Sequence, residues 1–116
     1  MRLLKNGGLV VMSLVLTVFY HGQPVHITLD GGATCNYIKQ EVCQKYGFKI
    51  NPNRQTSVLG DKKTKIESVG EIDEVFSRDT WTVRLRAIVV MTLGADIFGG
   101  TVFQNDNDIV PRQKTR

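Results

Sequence analysis

Period two is the dominant pattern of this chain. In "TWTVRLRAIVV" (residues 80–90), Trp81, Val83, Leu85, Ala87 and Val89 fall on one side of an alternating run. Successive side chains of a strand point to opposite faces, so such a run has one face to bury and folds as a strand. Residues 24–30 read the same way, with Val25, Ile27 and Leu29 on one face. Turn signals follow at short intervals: "HGQP" after Tyr20, and "NPNRQ" as a loop at 51–55. "TSVLGDKKTKIESVG" (56–70) has two β-prone arms around a polar Gly-Asp-Lys-Lys tip and predicts a hairpin. One stretch breaks the pattern. "NYIKQEVCQKYG" (36–47) carries Ile38, Val42 and Tyr46 at helical spacing, with Gly47 as a C-terminal stop. "LGADIFGGTVFQNDNDIVP" (93–111) predicts an apolar strand ending on paired glycines, a short helical segment and a last strand. Short strands at close spacing predict a mostly-β fold, a small barrel or a sandwich.

A chain of 116 residues fits one domain. It buries a modest core, so oligomerisation is a natural source of added stability. The net charge of +4 is mild, and the basic residues are scattered apart from "DKKTK" at 61–65 and the tail "PRQKTR". Solvated lysines on a loop explain that pattern better than a nucleic-acid surface. Cys35 and Cys43 form no CxxC pair, and His21 and His26 lie too far off to suggest a zinc site. On a helix over 36–46 the two thiols would be about 12 Å apart along the axis, beyond disulfide reach. They read as two reduced, half-buried thiols of an intracellular protein.

The N-terminal run "LLKNGGLVVMSLVLTVFY" permits two readings. A lysine followed by apolar residues resembles the start of a signal peptide. However, the stretch Leu9 to Tyr20 is well short of the about 20 residues that span a bilayer, and no small-x-small cleavage site follows. Val10, Val11, Val15, Thr17 and Val18 are β-branched, which favours a strand.

Asp30 is the candidate functional residue. It ends an apolar strand and opens the glycine turn "DGGAT", which gives the carboxylate little bulk around it and places backbone amides close by. The plainer alternative is that it only closes the turn through an Asx-type hydrogen bond. The chain offers no partner: there is no nucleophile elbow, GxGxxG, Walker loop or HExxH. His26 reads as a surface or satisfied histidine rather than a base. A lone carboxylate does acid–base work when symmetry brings a second copy to it.

At this point the chain resembles the retropepsins, the dimeric aspartic proteases of retroviruses and LTR retrotransposons. "ITLDGGATCNYI" is similar to the family's active-site loop, two hydrophobic residues, Asp, Ser/Thr, Gly and Ala, followed by an apolar pair. "VVMTLGADIFGGTVFQNDNDI" is similar to the strand, glycine, short helix, asparagine and last strand of its second landmark. Gly100 is the preferred landmark glycine, with Phe98 before it in the strand and Asn107 before the final strand. A competing register uses "LGAD" and Gly94. "SVLGDKKTKIESVG" lies where the family carries its flap, and "VFYHGQPVHITLD" is like the paired strands that lead into the loop.

The resemblance implies a small closed β-barrel-like fold with one or two short helices, dimeric, over residues 9–111. Residues 1–8 would be an extension or a dimer strand, and 112–116 a basic tail. It also implies a homodimeric aspartic endopeptidase that processes a polyprotein. Asp30 of each chain would meet about 3 Å from its twin, and the pair would share one proton. Gly32 and Ala33 would offer backbone groups to an extended peptide, Phe98 would line a side-chain pocket, and Gly60 and Asp61 would reach the peptide from the flap tip. The resemblance implies no metal or cofactor, no membrane, and a place in the cytoplasm or a virus-like particle. The terminal strands, "IVP" at 109–111 among them, would interleave in the dimer. Gly31 departs from the family's Ser or Thr, whose hydroxyl bonds across the dimer axis. Losing two such bonds by symmetry costs about 1–3 kcal/mol. The alternative function is a weak or inactive dimerisation or peptide-binding domain. A third, from another class, is a small secreted or membrane-targeted β protein with the N-terminal run as its signal.

Overall fold

The computed structural model describes residues 2–3, 9–11, 14–52, 56–58 and 65–111. Two short strands, β1 (Arg2–Leu3) and β2 (Leu9–Val11), come first, followed by the hairpin of β3 (Val15–Tyr20) and β4 (Gln23–Leu29). Within the apolar N-terminal run, Leu9–Val11 and Val15–Tyr20 are thus strands. His21 and Gly22 make the turn with φ of 49° and 82°, the paired left-handed conformation that matches strand twist in a two-residue hairpin. Leu16 and Val18 face Val25, Ile27 and Leu29 into the interior, as the alternation predicts.

The helical stretch is shorter than its spacing suggested. Residues Tyr37–Lys39 form a strand, β5, and only Gln40–Tyr46 form the helix α1. Ile38 is therefore a strand residue. It pairs in parallel with Val89, and that sheet contact outweighs its helical spacing to Val42. Gly47 ends α1 at φ 78°, its amide on the Cys43 carbonyl at 2.8 Å. Both thiols are free, as expected, but neither is half-buried: Cys35 is exposed and Cys43 buried.

β6 (Asn51–Pro52) leads to the hairpin arms β7 (Thr56–Val58) and β8 (Lys65–Glu67), which pair from Thr56 with Glu67 to Val58 with Lys65. The long strands β9 (Gly70–Arg78) and β10 (Trp81–Val90) pair along their whole shared length, from Trp81 with Arg78 to Val89 with Gly70. On the outer face of this pair, Arg84 grips Asp73 with two bonds of 2.6 and 2.8 Å. That guanidinium holds the Asp73 carboxyl below its usual range. β11 (Ile97–Gly99), α2 (Thr101–Asp106) and β12 (Ile109–Pro111) complete the described chain.

Six of these strands close a barrel in the order β10, β5, β11, β4, β3, β9, with β9 returning to β10. β11 lies between β4 and β5, parallel to the first and antiparallel to the second. The ring is closed strand to strand, although β11 is short and covers only the Thr28–Leu29 end of β4, and it encloses Ile27, Ile38, Phe76, Leu85, Ile97 and Phe103, each at most 1 % exposed. At the end away from Asp30, the rings of Tyr20, Phe48 and Phe76 pack edge to face, with Tyr46 stacked on Phe48. A second sheet joins the two ends of the chain: β2 pairs with β1 on one side and with β12, in parallel, on the other.

Candidate active site

Asp30 follows the last residue of β4, where the barrel wall gives way to the glycine turn. The backbone fixes it from both sides: the Leu29 amide donates to the Leu14 carbonyl at 2.7 Å, and the Asp30 amide to the Gly99 carbonyl at 2.9 Å. Its Oδ1 accepts the Gly32 amide at 2.9 Å, the Asx-type closure a "DG" turn allows. Turn closure and ligand presentation are therefore compatible uses of one side chain. The residue stays half-buried, and its other oxygen has no hydrogen-bond partner among the described residues.

The loop that follows is wrapped around a glycine. A Cβ on Gly100 would stand 2.5 Å from the Cys35 carbonyl oxygen, 2.6 Å from that of Ala33 and 2.8 Å from that of Thr34. Those carbonyls turn toward the start of α2, where the Thr101 amide donates to Ala33 at 2.8 Å and the Val102 amide to Thr34 at 3.3 Å. Of the two candidate landmark glycines, Gly100 is thus the one locked against the loop. Gly94 is exposed, with only the Phe98 ring within 4 Å of its Cβ position.

Asn36 is the site residue that sequence reasoning missed. It is buried at 6 % exposure. Its Oδ1 accepts the Gly100 amide at 2.9 Å and its Nδ2 donates to the Arg86 carbonyl at 2.9 Å. Its own carbonyl accepts the Ile88 amide at 2.9 Å. The second buried polar residue, Gln104, donates to the Gly99 carbonyl at 3.1 Å, the same oxygen that receives the Asp30 amide. Asn107 acts farther out, exchanging hydrogen bonds with the backbone of Arg84 at 3.0 and 2.9 Å.

Among the expected site residues, Asp30, Gly32 and Ala33 share one loop, and Phe98 lies half-buried on the neighbouring strand opposite Thr28. Gly60 and Asp61 lie outside the described residues. Gly31 is exposed, and beyond its chain neighbours no heavy atom of the described residues stands within 4 Å of where its Cβ would be. His26 is on the outer face with Nδ1 at 3.0 Å from Thr17 Oγ1, three residues of strand before the loop. No group of three or more His, Cys, Asp or Glu residues gathers among the described residues to hold a metal ion. No helix among them is long and apolar enough to cross a membrane.

A closed six-strand barrel with an acid loop pinned beneath an inserted strand is the retropepsin-like fold, and two solved structures carry the same chain path. EIAV protease complexed with the inhibitor HBY-793 superposes with a TM-score of 0.61 at 13% identity, over 79% of this chain and 85% of that one. The retroviral protease-like domain of Ddi1 from Leishmania major gives 0.62 at 14% identity, over 83% of this chain and 78% of that one. No protein-family profile and no curated protein matches the sequence. The likeness is one of fold, with little left of shared sequence.

Proposed function

We propose that the chain is a homodimeric aspartic endopeptidase whose catalytic group is Asp30, acting with Asp30 of a second copy. The observation that carries this reading is the acid itself: a half-buried carboxylate with one oxygen on the Gly32 amide and the other without a partner, on a loop held by Gly99 and Gly100, in a retropepsin-like fold. Two such carboxylates brought within about 3 Å share one proton. The unprotonated group then takes a proton from an attacking water while the other protonates the scissile carbonyl oxygen. Gly32 and Ala33 supply backbone groups to an extended peptide, Phe98 borders its side chains, and the β7–β8 hairpin, with Gly60 and Asp61 near its tip, covers it. The chemistry needs no metal or cofactor. A polyprotein is the substrate class this reading favours, with residues 9–111 as the protease unit, working inside a cell or a virus-like particle.

The test compares wild type with Asp30→Asn on peptide and precursor substrates at mildly acid pH, with and without a statine-type inhibitor. Cleavage by wild type, blocked by the inhibitor and lost in Asp30→Asn, is the expected result. Equal cleavage by both proteins sinks the proposal. One observation favours a second reading, a domain that dimerises or binds peptide without cutting it: Gly31 has no hydroxyl with which to join two loops across an axis. Inhibitor binding and dimerisation without turnover would support it.

A further inference from the structure

β4 is paired along its length on one side by β3, but on the other only at Thr28 and Leu29, by β11. Its first half therefore has an edge with no strand against it among the described residues. The two-residue turn fixes which groups face that edge. Tyr20 and Gln23 close the hairpin, and bonded and non-bonded pairs alternate along an antiparallel ladder, so Pro24, His26 and Thr28 turn their backbone groups outward. Two of the three are engaged: the Pro24 carbonyl accepts the Tyr46 hydroxyl at 2.7 Å, and Thr28 pairs with Phe98. His26 is the third, and no strand stands opposite it among the described residues.

A cavity of about 280 Å³ opens against this edge. Val25, Val42 and Ile97 form its buried floor, and His26, Lys45 and Asp96 stand exposed at its rim. The rim charges are unequal. Asp96 lies 3.9 Å from the Lys39 ammonium, whereas Lys45 makes no ion pair among the described residues. Its ammonium stands 5.3 Å from the centre of the Tyr46 ring. An unpaired strand edge takes an extended segment by backbone bonding, and side-chain pockets beside it give selectivity. An apolar floor selects an aliphatic side chain, and an uncompensated lysine selects a carboxylate. The space suits a short segment. It lies at the opposite end of β4 from Asp30 and shares no residue with the acid loop.

We infer that this edge is a second binding site, for an extended segment of a partner protein that carries an aliphatic side chain two residues before an acidic one, both on the same face of the added strand. The segment adds as a short strand at His26, its aliphatic group over Val42 and Ile97 and its carboxylate at Lys45. Nothing in this site depends on catalysis at Asp30.

The test uses the full chain and a fluorescein-labelled hexapeptide, TVLEVT. The comparison probes are TVLKVT and the proline-blocked TPLEPT. TVLEVT is expected to bind saturably, to move the amide signals of His26 and Ile97 in NMR spectra, and to bind about fivefold more tightly than either comparison probe. Lys45→Glu, at an exposed position, is expected to fold as wild type and to reverse the order of TVLEVT and TVLKVT. Three results would each overturn the inference: no saturation at millimolar peptide, signals moving at Gly32 and Ala33 instead, or an unchanged order in Lys45→Glu.

Discussion

Asn36 and Gly100 are joined by a buried hydrogen bond of 2.9 Å from the glycine amide to the asparagine Oδ1. Through it, the loop that carries Asp30 is fastened to the strand and helix on which it rests. The bond also explains why the loop needs no bulky side chains: its shape is set by backbone groups converging on one glycine.

Replacing Asn36 with leucine leaves the buried Gly100 amide without a partner and frees the part-buried Arg86 carbonyl. An unsatisfied buried group costs about 1–3 kcal/mol, so Asn36→Leu is expected to lose about 2–4 kcal/mol in urea denaturation. Gln104→Leu, which frees a side-chain bond to an oxygen that keeps the Asp30 amide, is expected to lose less. A loss below about 1 kcal/mol for Asn36→Leu would show that the clamp is not what holds the loop.

The three exposed or packed glycines near the site should separate cleanly. Gly100→Ala pushes a methyl into three carbonyl oxygens at 2.5 to 2.8 Å; backbone cannot yield cheaply there, and the variant is expected to unfold or to lose several kcal/mol, on the order of 3 or more. Gly94→Ala meets only the Phe98 ring at 3.9 Å and is expected to stay within about 0.5 kcal/mol of wild type. Thermal melts of both variants decide between them.

Gly31→Ser should behave differently again. With no heavy atom of the described residues, beyond its chain neighbours, within 4 Å of its Cβ position, the serine fits the isolated chain without strain. The proposed dimer gains a hydroxyl on each side of its axis, so sedimentation is expected to show association tightened by about 1–3 kcal/mol for the symmetric pair. An unchanged dissociation constant would remove the missing hydroxyl from the account.

The two thiols make a pH prediction. Burial pushes the Cys43 thiol up to about 11, from an ordinary value of 9.0, while Cys35 is exposed. Iodoacetamide at pH about 8 should therefore label Cys35 alone until the chain is unfolded, as read by peptide mass spectrometry. The folded state keeps its Cys43 proton where the unfolded state loses it. That contribution to stability is complete below pH 9.0 and is lost as pH rises toward about 11. A Cys43→Ala variant should show a flatter profile over that window.

Much of the barrel was written in the alternation of the chain. β4 follows it from Pro24 onward and β10 as far as Val89, after which Val90 is buried too, because each strand buries one face against the core. β9 was not legible: "GEIDEVFSR" places Glu74 on the side of Ile72 and Phe76, and that charge hides the buried face. β5 was misread because Ile38, Val42 and Tyr46 also satisfy a helix, and only pairing with β10, distant in sequence, decides the matter. Asp30 could be singled out from its turn. Asn36 could not, since an asparagine in a loop looks the same whether water or a glycine amide takes its oxygen.

The insertion of β11 between β4 and β5 has a consequence in time. The acid loop leaves one strand and enters the next, yet the strand that separates them is made near the far end of the chain, and the Asn36 clamp closes over 64 positions. Contacts so distant in sequence form slowly. A chain emerging from the ribosome carries its acid early but has no Gly99 to take its amide and no Gly100 to receive Asn36. The surroundings of the carboxylate are thus assembled only after Ile97–Gly100 has been made, when nearly the whole barrel exists.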